Sequence, residues 1–313
     1  MSHGLLTTAA LDAAGAPRLW MVGLAGFLAR GGIVLFAMPV IVLPSVVGLT
    51  TFVGPNSVTA AGLAPRLVVL IALTAGSIAA AVLLGTLVGA ATERALVQAM
   101  VGGRSVDATQ GGAAGCPPAL AALVAIRLLA LVPLGLAASV GGARLGQVGY
   151  HELTLPSDSA APFVVRVLLA APEVVAALSV AWLLSELIGA VAVRLALVDR
   201  RGIPGALGGA LVWIVRRPLR SAAIIVGTTL GSVVLVGPAL VASTIAWSGA
   251  RRALLGGDDP TAALGSVGLF VAAWIGGLVL AGLAGTWRSA AWSLALVEDH
   301  RVGGPPTVDG GTL

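Results

Sequence analysis

The sequence predicts an all-α fold, a polytopic membrane helix bundle of about six transmembrane helices. Three observations carry this. Hydrophobic residues make up 58% of the chain, charged residues only 10%, and the mean hydropathy is +1.03; a soluble domain carries about 25% charged residues. Apolar runs of roughly 18 or more residues, the length that crosses a bilayer, recur from end to end. The basic residues, all of them Arg, gather at the ends of those runs and not on one solvated face. The high sequence pI of about 11.1 is therefore read as positive-inside bias, not as a nucleic-acid-binding surface.

The runs come in order. The N-terminal segment lacks the basic start, short apolar region and cleavage site of a secretory signal, so the first helix is expected to be retained. A short apolar stretch, 19–29, is interrupted by Arg30, and the first full span is expected at 31–53. Further spans are expected at 67–91, 118–140, 163–198, 219–247 and 263–297. A segment too short to cross, 203–215, is expected to lie as an interfacial helix. The whole chain, 1–313, reads as one membrane domain, with a disordered cytoplasmic tail at 299–313.

Orientation follows from the arginines. Twelve fall on the side shared by the termini, among them Arg18, Arg94, Arg104 and Arg301, against five on the other side: Arg66, Arg144, Arg166, Arg251 and Arg252. Both termini are expected to be cytoplasmic. Loops at 54–66, 141–162 and 248–262 would then be external. The second, with Tyr150, His151, Glu152 and Asp158, is the most polar and the one expected to carry structure of its own. Arginine without lysine, in a background of Ala, Gly, Val and Leu, suggests the coding composition of a GC-rich bacterial genome, so a bacterial inner membrane is the expected location.

A faint repeat runs through the chain. The even-numbered spans end in Ala95-Leu96-Val97, Ala196-Leu197-Val198 and Ala295-Leu296-Val297, roughly 100 residues apart, and each odd-numbered span holds a proline: Pro39, Pro133 and Pro238. Three hairpins, about 19–101, 118–199 and 219–298, would account for this, and internal repeats are common in transporter folds. Mitochondrial carriers share the three-hairpin plan. They place an acidic residue two positions after the proline, where this chain has Ile41, Gly135 and Leu240, so that family is set aside. The segment Arg200-Arg201-Gly202-Ile203-Pro204-Gly205 through Arg216-Arg217-Pro218-Leu219-Arg220 resembles the membrane domain found beside bacterial glycerophosphodiester phosphodiesterases. The resemblance covers about twenty residues and implies a membrane module, not phosphodiesterase activity, because the metal-binding soluble domain is absent.

Charges within spans are the best functional pointers, since one at mid-bilayer costs roughly 2.5–3.5 kcal/mol. Arg127 and Glu173 lie about 15 Å into the third and fourth spans from opposite faces. They are candidates for a midplane ion pair that fixes hairpin register or forms part of a solute path. Arg166, on nearly the same face as Glu173, is a second candidate partner. Glu93, Glu186, Arg194 and Arg288 are expected at the inner interface, satisfied by snorkelling. Arg194, Arg200, Arg201, Arg216, Arg217 and Arg220 are candidate contacts to anionic headgroups, or simply the positive-inside bias. Gly85/Gly89 and Gly227/Gly231 are spaced for close helix approach. Trp20, Trp213, Trp247 and Trp287 suit interfaces, while Trp182 and Trp274 are expected only to pack.

Enzyme signatures are missing from the sequence. His3, His151 and His300 lie near the termini or in a loop, so no His-Glu-x-x-His site is formed. The Gly265-Ser266-Val267-Gly268 segment superficially resembles an intramembrane serine protease, but no histidine lies within a span to activate the serine. Gly111-Gly112 lacks the lysine of a phosphate loop, and Cys116, the only cysteine, forms no disulfide within the chain. No cofactor or metal is expected. The expected function is that of a non-enzymatic membrane protein acting through lipid contact or helix packing, with a membrane-protein partner or a second copy of itself. The alternative is a transporter or channel using Arg127 and Glu173.

Overall fold

The computed structural model describes residues 2–41, 58–59, 62–63, 65–102, 118–155, 161–256 and 260–302. The chain opens with helix α1 (Ser2–Ala14), which the apolar pattern did not announce because polar residues interrupt it. Thr7 and Thr8 cancel their own polarity by donating their hydroxyls to the Gly4 carbonyl, at 3.0 and 2.8 Å. Ala9 and Ala13 are fully buried.

A 3-10 turn at Pro17–Leu19 leads into the first span, made of α2 (Trp20–Phe27), a π turn at Leu28–Gly32 and α3 (Ile33–Ala37). This corrects the expected start at residue 31. Arg30 sits inside the span instead of ending it, because the bundle supplies acids to meet it (below). Residues 42–53 of the expected first span lie outside the described residues, as do most of 54–64. Within that stretch, β1 (Val58–Thr59) and β2 (Gly62–Leu63) form a two-residue antiparallel ladder.

The second span is α4 (Pro65–Gly102). The third is a bent pair, α5 (Leu120–Ala130) and α6 (Val132–Thr154), turning by 40°. The fourth also divides, into α7 (Phe163–Leu169) and α8 (Pro172–Val198). The short apolar α9 (Ile203–Arg216) follows, then α10 (Pro218–Gly256) and α11 (Pro260–Val302). Among the described residues, five helices are long and apolar enough to cross a membrane, or six with the bent pair counted as one span. The fold is the all-α polytopic bundle that composition predicted.

Two loop boundaries move. Helix α6 continues through Tyr150, His151 and Glu152, and α10 continues through Arg251 and Arg252, so 141–154 and 248–256 are helical. Residues 299–302, expected in a tail, complete α11. Asp158, Arg104, Cys116, Gly111-Gly112 and 303–313 lie outside the described residues.

Helix α11 organises the packing, lying against α10, α2 and α1. Without a hydrophobic drive between helices in lipid, close approach through small residues supplies the contact. A Cβ on Gly282 would stand 2.5 Å from the Trp20 carbonyl, so only glycine lets α2 and α11 meet there. Indole N–H groups tie α1 down: Trp287 donates to the Leu6 carbonyl at 3.0 Å and Trp20 to the Ala13 carbonyl at 2.8 Å. The N-terminus and the C-terminal half of α11 thus share one end of the bundle. The even-numbered spans, α4, α8 and α11, touch one another pairwise. Between residues 68 and 84, by contrast, α4 has no buried residue.

Candidate functional site: a charged cleft between broken helices

Two helix breaks face one cleft. In the first span the backbone leaves helical geometry at Arg30 (φ −87°, ψ 18°) and Gly31 (φ +99°, ψ −2°). A φ of +99° is readily adopted only by glycine. In the third span Pro133 has no N–H to donate to the preceding turn, and the chain bends at Leu131. Between them, Gly85 of α4 lies so near the first break that a Cβ would stand 2.6 Å from the Ala29 carbonyl.

The cleft has a volume of about 730 Å³, in the range of small-molecule sites. Its walls are apolar, with Leu28, Ile33, Ile78, Val82, Leu131 and Leu134. Its polar lining is Arg30, Thr86, Arg127, Ser185 and Glu186. The Thr86 hydroxyl is spent on the Val82 carbonyl at 2.6 Å. Ser185 Oγ and Arg127 Nε are buried and have no hydrogen-bond partner among the described residues. Trp182, expected only to pack, is 40% exposed and forms part of the wall.

Behind the cleft is a buried charge cluster. Glu93 Oε1 pairs with Arg127, lies 3.6 Å from Arg30 Nη1 and 3.9 Å from Arg194 Nη1. Glu186 accepts from Arg288 Nη2 at 2.8 Å and lies 3.8 Å from Arg127 Nη1. Arg194 also donates to the Ala190 carbonyl at 2.7 Å, to the Ser289 carbonyl and hydroxyl at 3.2 Å each, and to Ser293 Oγ at 3.3 Å. Among the described residues, four arginines thus face two carboxylates, an excess of two positive charges. No three His, Cys, Asp or Glu side chains gather among them as a metal site would require.

No protein family, curated protein or solved structure matches this chain.

The expected midplane pair does not form. Arg127 meets Glu93 and Glu186, while Glu173 accepts from Arg144 Nε at 3.2 Å, with side chains 57% and 54% exposed. The reason is the break before Pro172, which puts Glu173 in the first turn of α8 instead of ten residues down a continuous helix. An acid there is also favoured by the helix dipole. Arg166 is drawn instead to Glu152, at 3.3 Å. Glu93, Glu186, Arg194 and Arg288 are not interfacial snorkellers; Glu93 and Arg194 side chains are 1% and 2% exposed inside the bundle.

The headgroup candidates divide. Arg194 is buried and withdrawn from that list. Arg220 pairs with Glu298 and Asp299 at the end of α11. Arg217 reaches Asp299 Oδ1 at 2.7 Å, and Arg201 reaches Asp199 Oδ2 at 2.9 Å. Arg200, Arg201, Arg216 and Arg217 are exposed. Trp213 donates to Asp299 Oδ2 at 2.7 Å, which holds α9 against α11. Of the glycine pairs, Gly85 faces Ala29, Gly227 faces Leu6 and Gly231 faces Trp287, while Gly89 faces open space.

Sequence reasoning missed Glu93 and Arg194 as partners, although a signal was present. Each lies two residues before the Ala of its Ala-Leu-Val segment, as does Ser293. Arg194 meets both of the others.

Proposed function

We propose that the chain is a transport protein of a bacterial inner membrane, with both termini cytoplasmic, whose solute occupies the cleft at Arg30, Arg127, Ser185 and Glu186. One observation carries the reading: two spans are broken beside the same buried charges. Interrupted helices free backbone groups and place them around a site within the bilayer, the arrangement transporters use for binding. Intramembrane charges that face a cavity instead of lipid mark solute or ion pathways by default. The pathway differs from the one expected from sequence: Glu186 lines the cleft in the place of Glu173, with Glu93 behind it.

The test is side-chain accessibility. In a Cys116→Ser background, Ser185→Cys and Leu134→Cys are exposed to a membrane-impermeant maleimide in right-side-out and inverted vesicles. A transporter that cycles labels from both sides, to differing extents. Labelling from neither side, with full labelling after denaturation, overturns the reading.

A second reading has its own observation. The stretch of α4 from residue 68 to 84 is largely apolar and has no buried residue, which favours a non-enzymatic module that packs against a membrane partner or a second copy. The resemblance to the membrane domain beside phosphodiesterases accords with that role. Cysteines placed singly along 68–84 would crosslink between chains on one face if a second copy packs there.

A further inference from the structure

Resting on the transport reading, we infer that the ligand of the cleft is an anionic amphiphile: a carboxylate, phosphate or sulfonate head carried on an alkyl tail. The argument for the head is a charge balance. Glu93 and Glu186 neutralise two of the four arginines Arg30, Arg127, Arg194 and Arg288, and the remaining two charges lie where water is scarce. Each uncompensated charge in that setting is costly, and a bound anion offsets the excess.

The unused hydrogen-bonding groups point the same way. Arg127 Nε and Ser185 Oγ both belong to cleft-lining residues, both are buried, and neither has a partner among the described residues. Arg127 is 8% and Ser185 3% exposed. A guanidinium N–H and a hydroxyl lining one cleft can each donate to an oxyanion. The carboxylate lining the cleft, Glu186, pairs with Arg288 at 2.8 Å and lies 3.8 Å from Arg127 Nη1, and the two arginines beside it in the lining, Arg30 and Arg127, leave the cleft with a net positive charge that repels a cation. Glu93 Oε2 is also unbonded, but Glu93 does not line the cleft.

The argument for the tail is the wall. Ile33 and Ile78 are 62% and 59% exposed and, with Val82 and Leu134, leave an apolar surface extending from the arginines. A small hydrophilic anion would make no use of that surface. An alkyl chain covers it, and each methylene buried there adds to affinity. The same chemistry is available from a membrane phospholipid or from a single-chain amphiphile, and the experiment separates them.

Purified protein in a neutral maltoside detergent is titrated with dodecyl phosphate, octyl phosphate, dioleoyl phosphatidic acid, inorganic phosphate and dodecyltrimethylammonium. Binding is followed by native mass spectrometry and by the shift in unfolding temperature. Dodecyl phosphate is expected to bind at least about five-fold tighter than octyl phosphate, since burial energy scales with chain length, and inorganic phosphate and the cation weakly or not at all. Ser185→Ala and Arg30→Gln are each expected to weaken dodecyl phosphate by about ten-fold, the loss of one charge-assisted or hydroxyl bond. Tighter binding of phosphatidic acid than dodecyl phosphate assigns the site to a lipid; the reverse assigns it to a free amphiphile; both support the class.

Equal binding of octyl and dodecyl phosphate, or preference for the cation, overturns the inference. So does dodecyl phosphate binding that Ser185→Ala and Arg30→Gln leave unchanged in folded protein. The transport reading fails separately: a protein that binds dodecyl phosphate at this site yet never exposes Ser185→Cys to either side holds the ligand statically.

Discussion

Arg194 donates through Nε to Ser293 Oγ at 3.3 Å, and the two residues hold the same place, two before the Ala of the Ala-Leu-Val segment, in successive even-numbered spans. Glu93 holds that place in the second span, and its Oε1 lies 3.9 Å from Arg194 Nη1. A position that recurs about every 100 residues along the chain therefore converges at one point of the bundle. Three hairpins packed around a common axis would bring equivalent positions together in this way, with unlike side chains at each giving a polar centre that is not symmetric.

Glu93 is the acid on which the cluster depends, since it faces Arg127, Arg30 and Arg194. Removing one partner of a buried pair leaves uncompensated charge and typically costs about 3–5 kcal/mol. Glu93→Gln should lower the unfolding temperature in detergent sharply. Glu173→Gln, at an exposed pair, should leave the unfolding temperature nearly unchanged. Equal losses in the two variants would mean that the buried cluster is not the structural centre.

Gly31 is the one described glycine with a positive φ, at +99°. An alanine there is strained by roughly 1–2 kcal/mol, and the chain can relieve the strain only by straightening the break beside the cleft. Gly31→Ala should therefore lower stability and reduce reactivity of Ser185→Cys together. Gly4→Ala, in open space, serves as the control. A Gly31→Ala protein as stable and as reactive as the parent would show that the break does not depend on glycine.

Asp299 joins three elements at the end of α11, accepting from Trp213 and pairing with Arg217 and Arg220. Loss of its carboxylate strands the Trp213 N–H and frees α9 from α11, at a cost of about 1–3 kcal/mol per group left unsatisfied. Asp299→Ala should raise amide hydrogen exchange across Ile203–Arg216 with little change in α4. Unchanged exchange in α9 would mean that its apolar face alone, through Ala206 and Ala210, holds it in place.

Composition and run length made the helices legible, because in lipid every backbone group must be satisfied within a helix and apolar length follows from bilayer thickness. What stayed hidden were the breaks. Pro133 and Pro172 both sit beside a bend, yet Pro238 lies within an unbroken α10, so proline alone does not mark one; neighbouring helices decide whether the freed carbonyl is tolerated. Glu173 was misplaced for the same reason, since its depth was counted along a helix that starts anew at Pro172. The ionic cluster was hidden because its members come from five separate helical segments, and only tertiary packing shows that Glu93 faces Arg127 and not lipid. Arg30 looked like the end of a span for want of that knowledge.

The excess of arginine in the cluster makes a final prediction that runs against the usual expectation for buried charge. Arg194 is 2% exposed, does not line the cleft, and donates its hydrogen bonds to two serine hydroxyls and two carbonyls. Its removal leaves Glu93 with Arg127 and Arg30, and Ser293 still donates to the Ser289 carbonyl at 2.9 Å. Replacing a buried charge by an apolar side chain of similar volume is often neutral or stabilising when no opposite charge is stranded. Arg194→Met should then match or exceed the parent in unfolding temperature, while Glu93→Gln falls. The balance shifts further when an anion fills the cleft, so dodecyl phosphate should stabilise Arg194→Met less than it stabilises the parent. If Arg194→Met loses as much stability as Glu93→Gln, the fourth arginine is a required clasp among α4, α8 and α11, and the charge excess is no argument for an anionic ligand.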